Sequence, residues 1–121
     1  MNIKTCYEDI SSYITKDGST IKELMHPEVH GNSAQSLAEA TVPAGNTTIL
    51  HRHEITEEIY HILSGSGVLS LDGKMIDVKE GDSVCILPGT THKIKNTGQK
   101  DLRILCCCSP AYSHDDTEIL D

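Results

Sequence analysis

The sequence predicts an all-β fold, a sandwich or barrel of short antiparallel strands. Short runs rich in apolar and β-branched residues recur through most of the chain, and such runs favour strands. Clusters of Gly, Pro and Asp separate these runs at short intervals, which is typical of sandwiches and barrels. No segment keeps the apolar period of about 3.6 residues that an amphipathic helix requires.

The predicted elements follow in order from the N-terminus. Residues 1–19 form an N-terminal arm, in which residues 7–14 are either a short helical turn or extended chain, and a turn at Asp17-Gly18 ends the arm. Strands are then predicted over residues 20–26, 35–42, 46–53, 58–64, 67–71, 74–78, 83–87, 92–96 and 102–108. The pair Asp72-Gly73 between two alternating runs predicts a tight hairpin. Residues 110–121 form an acidic tail that we expect to lie over the surface.

Length and composition limit the possible classes of protein. A chain of 121 residues predicts a single domain over residues 1–121. The chain has no Trp or Phe, so its core depends on aliphatic residues, and we expect a homodimer because a second subunit would help to bury this core. The formal net charge of −8 argues against nucleic acid and anionic membrane surfaces as partners, since both attract clustered Lys and Arg.

The cysteines and the hydropathy indicate the compartment. Three of the five cysteines are adjacent, and an odd count with this spacing does not form a disulfide framework. The chain has no apolar run of membrane-spanning length, and its N-terminus carries no signal-peptide core. These features predict a protein of the reducing cytoplasm.

A candidate metal site begins with His51 and His53, which fall on one predicted strand. Residues two apart on a strand point to the same face, so both imidazoles can converge on one ion. Two adjacent carboxylates, Glu57 and Glu58, open the next strand, and His92 follows a tight turn. Three imidazoles and one carboxylate suit a borderline divalent ion. A His-x-His pair also arises by chance in a chain with seven histidines, so the surrounding pattern has to decide.

Two longer motifs surround these residues. The first motif covers residues 45–65. It has a glycine, a His-x-His pair after five intervening residues, a glutamate after a short gap, and a second glycine after six further intervening residues. The second motif covers residues 81–96 and has a glycine, a Pro-Gly turn, a histidine, and an asparagine after three intervening residues. The matching positions are Gly45, His51, His53, Glu58, Gly65, Gly81, Gly89, His92 and Asn96. Leu87 stands where the second motif has its first proline. The motifs resemble those of the cupin family, and the chain resembles the small single-domain bacterial cupins that are often named by analogy with mannose-6-phosphate isomerase.

The resemblance implies an antiparallel double-stranded β-helix, the cupin or jelly-roll barrel, with a divalent metal ion near one open end. The metal ligands and catalytic residues that it implies are His51, His53, Glu58 and His92. Glu57 also lies within the tolerated gap, but the interval to Gly65 favours Glu58, and adjacent strand residues face opposite sides. Iron, manganese, zinc and nickel are all candidates for the ion, and we expect no other cofactor.

We expect a metal-dependent enzyme acting on a small polar organic molecule, of the oxygenase, isomerase or lyase type. Three imidazoles and one carboxylate leave open positions on an ion that prefers five or six ligands. A non-catalytic metal- or small-molecule-binding cupin is the first alternative. A sugar-phosphate isomerase-like activity is the second, although the chain has only two arginines to meet a phosphate.

Four further polar residues, Tyr60, His61, His26 and His30, lie outside the predicted ligand set. Tyr60 shares the strand parity of Glu58 and should point inward, either as a core residue or as a catalytic contact to substrate. His61 has the opposite parity and should point outward. His26 and His30 fall in a predicted loop, where solvation is enough to explain them.

Two further features lie in the C-terminal part of the chain. His114 and Tyr112 lie in the acidic tail, which is either exposed or folded over the mouth of the barrel. The run from Cys106 to Cys108 lacks metal-ligand spacing, and buried apolar thiols on a strand explain it. Exposure of Cys106 or Cys108 to the cavity is the alternative.

Overall fold

The computed structural model describes residues 3–120, so residues 1–2 of the predicted arm and residue 121 of the predicted tail lie outside the described residues. The strands are β1 (Tyr13–Ile14), β2 (Thr20–Met25), β3 (Ser36–Val42), β4 (His51–His53), β5 (Glu57–Ser64), β6 (Ser66–Leu71), β7 (Lys74–Lys79), β8 (Ser83–Ile86), β9 (His92–Asn96), β10 (Leu102–Ser109) and β11 (Thr117–Ile119). Among the described residues, helical structure is confined to a 3-10 turn at Tyr7–Asp9 and one turn of α-helix, α1, at Pro27–His30, and neither is long and apolar enough to cross a membrane.

The strands form two antiparallel sheets, as the sequence predicts. One sheet has six strands in the order β1-β2-β3-β10-β5-β8, and the other has five in the order β11-β4-β9-β6-β7. The predicted hairpin between β6 and β7 is confirmed: Asp72 and Gly73 both have positive φ, at 48° and 84°, as the tightest hairpin turns require. The two sheets enclose one core of aliphatic side chains.

The inward side chains change in character along the barrel. The large apolar side chains at one end include Val42, Ile62, Leu69, Ile94, Leu102 and Ile104. The smaller or polar inward side chains toward the other end include Ser36, Ala38, Glu58, Tyr60, Cys106 and Cys108. The strand register places inward side chains of neighbouring strands side by side: Cys108 on β10 lies opposite Ser36 on β3 and Glu58 on β5. One end of the barrel is therefore packed, and the other is left with a cavity lined by small apolar, polar and titratable side chains.

The structure corrects three of the predicted boundaries. Strand β4 covers only residues 51–53 of the predicted 46–53. Residues 46–50, which precede β4, contact β9 in two places. Thr47 forms an isolated bridge with Lys95, and the hydroxyl of Thr48 accepts a hydrogen bond from the N–H of Ile94. The arm contains β1, and the tail contains β11, which pairs with β4 and forms an edge strand of the second sheet. Local sequence signals for strands of two or three residues are weak, and long-range pairing defines them.

Candidate metal centre

Strand pairing brings three histidines together at the polar end of the barrel. His51 and His53 lie on β4 with their side chains inward, and His92 opens β9 directly opposite His51. The ring centroids of His51 and His92 are 4.1 Å apart, and His53 lies 5.3 and 5.4 Å from the other two. All three are buried, and one nitrogen from each ring lies within 4.8 Å of the others. This cluster could hold a metal ion.

Backbone carbonyls fix two of the rings. The Nδ1 of His51 donates to the carbonyl of Ile49 at 2.8 Å, and the Nδ1 of His92 donates to the carbonyl of Thr90 at 3.0 Å. A carbonyl oxygen only accepts, so in both rings the proton is on Nδ1. The lone pair of a neutral ring is then on Nε2, which is the nitrogen available to a metal.

A threonine hydroxyl fixes the third ring in the same way. The Nδ1 of His53 lies 3.0 Å from the Oγ1 of Thr117, and this hydroxyl donates its own proton to the carbonyl of Ser113 at 2.8 Å. Thr117 must therefore accept from His53, which again leaves the lone pair on Nε2. Thr117 lies in the acidic tail, outside both motifs, and sequence reasoning missed it.

Glu58 stands next to this cluster. Its Oε1 is 3.3 Å from the Nε2 of His53 and 3.6 Å from the Nε2 of His92. Both Glu58 Oε1 and His92 Nε2 are buried without a hydrogen-bond partner, which is costly unless something satisfies them. The other oxygen, Oε2, accepts a hydrogen bond from the thiol of Cys108 at 3.3 Å. The Oε1 of Glu58 and the Nε2 lone pairs of His53 and His92 are all acceptors, so a proton or a metal cation has to lie between them.

These distances fit a divalent metal ion. Ligands bound at about 2.1 Å can be no more than about 4.2 Å apart, and the separations of 3.3 and 3.6 Å around Glu58 fall within this limit. The mixture of imidazole nitrogens and a carboxylate oxygen suits several first-row divalent ions. The three histidines could therefore hold such an ion, and Glu58 lies within ligand spacing of two of them, His53 and His92.

The charge states of the site also suit a metal. Burial by itself would raise the pKa of Glu58, but hydrogen bonds and positive charge from His53 and His92 in their protonated forms outweigh burial and lower the pKa to about 2. A metal ion in place of those protons supplies the same positive charge and likewise favours the ionised carboxylate. Burial, reinforced by the charge of His92, lowers the pKa of His51. Near neutral pH the carboxylate is therefore ionised and the His51 ring is neutral, which are the forms that bind metals.

Tyr60 points into the cavity, which confirms its predicted orientation. Its ring centroid is 6.1 Å from that of His92. Burial, followed by the charge of Glu58, raises the pKa of Tyr60 well above its usual value, so its hydroxyl stays protonated. A catalytic role for Tyr60 stays a prediction. His61 bonds to Ser83 on the outer side.

The tail and the N-terminal arm meet over the mouth of the cavity. The ring of Tyr112 lies 5.7 Å from that of His53, and its hydroxyl is 3.0 Å from the hydroxyl of Thr15. His114 is exposed, with Nδ1 3.1 Å from the Tyr112 hydroxyl. Of the two alternatives for the tail, the structure shows the folded one.

The interpretation of His26 as a solvated loop residue was wrong. Its side chain is only 7% exposed. Its Nδ1 accepts from the Glu28 N–H at the start of α1, and its Nε2 is 2.7 Å from the carbonyl of Tyr112. His26 therefore holds the tail in place. His30, partly buried in α1, accepts from the backbone N–H of His26.

The enclosed part of the cavity has a volume of about 40 Å³, within about 500 Å³ of space that includes its mouth and the adjoining solvent. Its polar lining residues, apart from the histidines, are Tyr13, Thr15, Asp17, Ser19, Glu23, Ser36, Glu58, Tyr60, Cys106, Cys108, Tyr112 and Thr117. Cys106 and Cys108 thus face the cavity, and burial raises the pKa of both thiols. Among the described lining residues there are carboxylates and hydroxyls but no Lys or Arg.

Comparisons with known proteins agree with this architecture. A family model described as the cupin domain matches residues 38–108. The chain is 56% identical over 119 residues to an uncharacterized protein of Methanocaldococcus jannaschii, covering 98% of this chain and 95% of that protein. It is 42% identical over 84 residues to the oxalate-binding protein of Thermotoga maritima, covering 69% of this chain and 65% of that protein. The solved structure of a predicted oxalate decarboxylase from Thermotoga maritima superposes with a TM-score of 0.76 at 31% identity, covering 89% of this chain and 99% of the other. With two sheets closed over a buried histidine cluster and a family match across both motifs, the chain belongs to the cupin family.

Proposed function

We propose that this cupin is a metal-dependent enzyme that acts on a small, uncharged polar molecule. The observation that carries the proposal is the common orientation of three rings. Each Nδ1 of His51, His53 and His92 is hydrogen-bonded, and the buried Oε1 of Glu58 faces two of the Nε2 atoms without a partner. A merely structural cluster would use these acceptors in hydrogen bonds.

The open side of the cluster faces the cavity, which supports a working site over a structural one. A divalent ion held there supplies Lewis acidity, and iron would also supply dioxygen chemistry. The chain's own residues supply orientation and protons. Cys108 holds Glu58 in position, and the protonated hydroxyl of Tyr60 can donate a hydrogen bond to an oxygen of the substrate. A hydrogen bond between the hydroxyls of Tyr112 and Thr15 joins the tail to the arm beside the cavity.

The lining of the cavity determines which substrates it favours. Carboxylates at Asp17, Glu23 and Glu58 contribute negative charge, and no Lys or Arg of the described lining balances it. Apart from the ion itself, a phosphate or a second carboxylate would lack the cationic side chains that bind such groups. This argues against the sugar-phosphate isomerase alternative and favours hydroxyl- or carbonyl-bearing molecules without net negative charge.

A binding protein without catalysis is the second candidate. The relative from Thermotoga maritima that is 42% identical is named an oxalate-binding protein, and this likeness favours a ligand-binding role. Oxalate carries two carboxylates, which the divalent ion itself could chelate, although no Lys or Arg of the described lining would assist. Oxalate therefore belongs in the ligand panel as the test of this alternative.

The first experiment is elemental analysis of untagged protein from its native host, followed by turnover assays on the metal-loaded protein. The substrate panel should pair uncharged sugars, keto compounds and diols with oxalate and sugar phosphates. We expect near-stoichiometric divalent metal and turnover of an uncharged compound. Tight oxalate binding without turnover would favour the binding candidate. A protein that cannot be loaded with any divalent metal would overturn the enzyme and leave only metal-independent binding.

Tyr60→Phe separates catalysis from binding. Loss of the hydroxyl should lower kcat by about 10²- to 10⁴-fold if it donates a proton in the reaction, with metal content unchanged. If the protein only binds its ligand, the variant should change affinity alone. Met75→Leu, an exposed apolar substitution distant from the cavity lining, is the control.

A further inference from the structure

We propose that Asp17 binds the same metal ion as a fifth protein ligand, supplied by the turn that precedes β2. This inference rests on the proposed metal site but adds a residue outside both cupin motifs. Asp17 belongs to the turn that ends the N-terminal arm, where Asp before Gly is fully explained by turn chemistry. Nothing in the local sequence distinguishes it from an ordinary turn residue.

The turn is fixed against the histidine strand. The Oδ1 of Asp17 accepts from the N–H and the hydroxyl of Ser19 at 2.9 and 2.6 Å. The backbone carbonyl of Asp17 accepts from the N–H of Ile49 at 2.8 Å. Ile49 in turn holds the ring of His51 through its carbonyl. Asp17 and His51 are therefore positioned by the same residue.

The second oxygen of Asp17 points at the metal-facing nitrogen of His51. The distance from Oδ2 to Nε2 is 3.8 Å, within the limit of about 4.2 Å for two ligands of one ion. The ring proton of His51 is on Nδ1, so a carboxylate oxygen and a lone pair face each other. The arrangement repeats that of Glu58 beside His53 and His92, on a different member of the cluster.

The burial of Asp17 also needs an explanation. The side chain of Asp17 is 12% exposed, and among the described residues its ion-pairing neighbour within 4.0 Å is the ring of His51, not a Lys or Arg. The two hydrogen bonds from Ser19 satisfy only Oδ1, and a largely buried carboxylate oxygen without a compensating positive charge is costly. A divalent ion neutralises the two charges of Asp17 and Glu58 together, and two carboxylates shift the preference of a histidine site toward ions that favour oxygen, such as manganese.

The test compares Asp17→Asn with wild type by chelator competition for Mn²⁺ and Zn²⁺ and by the visible absorption of the Co²⁺-loaded protein. Asparagine keeps the size and an oxygen for Ser19 while it removes the charge. We expect Mn²⁺ affinity to fall by about 100-fold or more and Zn²⁺ affinity to fall less. The Co²⁺ absorption should become stronger, as a lower coordination number produces. Unchanged Mn²⁺ affinity with an unchanged Co²⁺ spectrum would overturn the proposal.

Glu23→Gln is the matched control, because Glu23 is a second carboxylate of the same cavity that lies beside His26 instead of the cluster. It should weaken Mn²⁺ binding by less than about threefold. An equal loss in both variants would assign the effect to general charge and overturn direct ligation.

A crystal structure of the wild-type protein with Mn²⁺ answers the question even if Asp17→Asn does not fold. An Asp17 oxygen within about 2.4 Å of the ion is expected, and a water between them would overturn the proposal. Metal binding through the histidines alone would refute only the role of Asp17. A wild-type protein that binds no Mn²⁺, Zn²⁺ or Co²⁺ would instead refute the proposed function.

Discussion

Thr117 accepts a hydrogen bond from the Nδ1 of His53 at 3.0 Å, although the two residues are 64 positions apart in sequence. The contact exists because β11 pairs with β4 and places Thr117 directly opposite His53. The hydroxyl also donates to the carbonyl of Ser113, which fixes its direction. The orientation of one metal-facing ring therefore depends on the C-terminal tail.

Thr117→Val should weaken metal binding by about 10- to 100-fold, because groups that orient a ligating histidine contribute effects of this size. Valine keeps the shape of the side chain and removes only the hydroxyl. Thr117→Ser, which keeps the hydroxyl, should bind nearly as well as wild type. Competition with a chromophoric chelator measures both, and equal affinity in the valine variant would contradict the role given to Thr117.

His51→Ala and His92→Ala should each lose most of the bound metal while the barrel stays folded. Each removes one of three nitrogen ligands, whereas the aliphatic core lies toward the other end of the barrel. His61→Ala, which removes an outward ring bonded to Ser83, is the control and should keep its metal. Elemental analysis and circular dichroism provide the readouts; full metal occupancy in both cluster variants would refute the ligand assignment.

Glu58→Gln should reduce metal affinity far more than Glu57→Gln. The side chain of Glu58 is buried beside His53 and His92, whereas Glu57 is exposed on the outer face of β5. The two variants remove the same charge from adjacent positions, so their difference isolates direct ligation. Comparable losses in the two would mean that Glu58 acts only through its charge.

The bound metal should leave as the pH falls below about 6, since every imidazole must be neutral to ligate. Burial lowers the pKa of His51, which delays protonation of that ring relative to a free histidine. Dialysis at stepwise lower pH with elemental analysis measures the release. Complete retention at pH 4 would contradict a site built mainly from histidine.

The metal-free protein should also lose stability in acid. The pKa of His51 is lower in the folded state than in the unfolded chain, so below about pH 6.5 the unfolded state binds more protons. The free energy of unfolding is then highest above pH 6.5 and falls as the pH decreases. Urea unfolding at pH 5 and pH 7 tests this, and His51→Gln should reduce the difference between the two values.

The part of the site that lies within the motifs could be predicted from sequence. Strand parity places His51 and His53 on one face, and it correctly turns Tyr60 inward. Asp17 and Thr117 could not be found in this way. Each approaches the cluster through pairing with a distant segment, and each has an ordinary local explanation as a turn or tail residue. The single-domain extent, the homodimer and the cytoplasmic location stay predictions.

The three histidine rings differ in how easily evolution can adjust them. The rings of His51 and His92 are held by main-chain carbonyls two residues earlier, and no substitution can delete a carbonyl. The ring of His53 alone is held by a side chain, that of Thr117. Substitution of Thr117 during evolution could therefore change how tightly the barrel binds the ion, or which ion it prefers, without changing any ligand. The rings of His51 and His92 would keep their orientation after such a substitution.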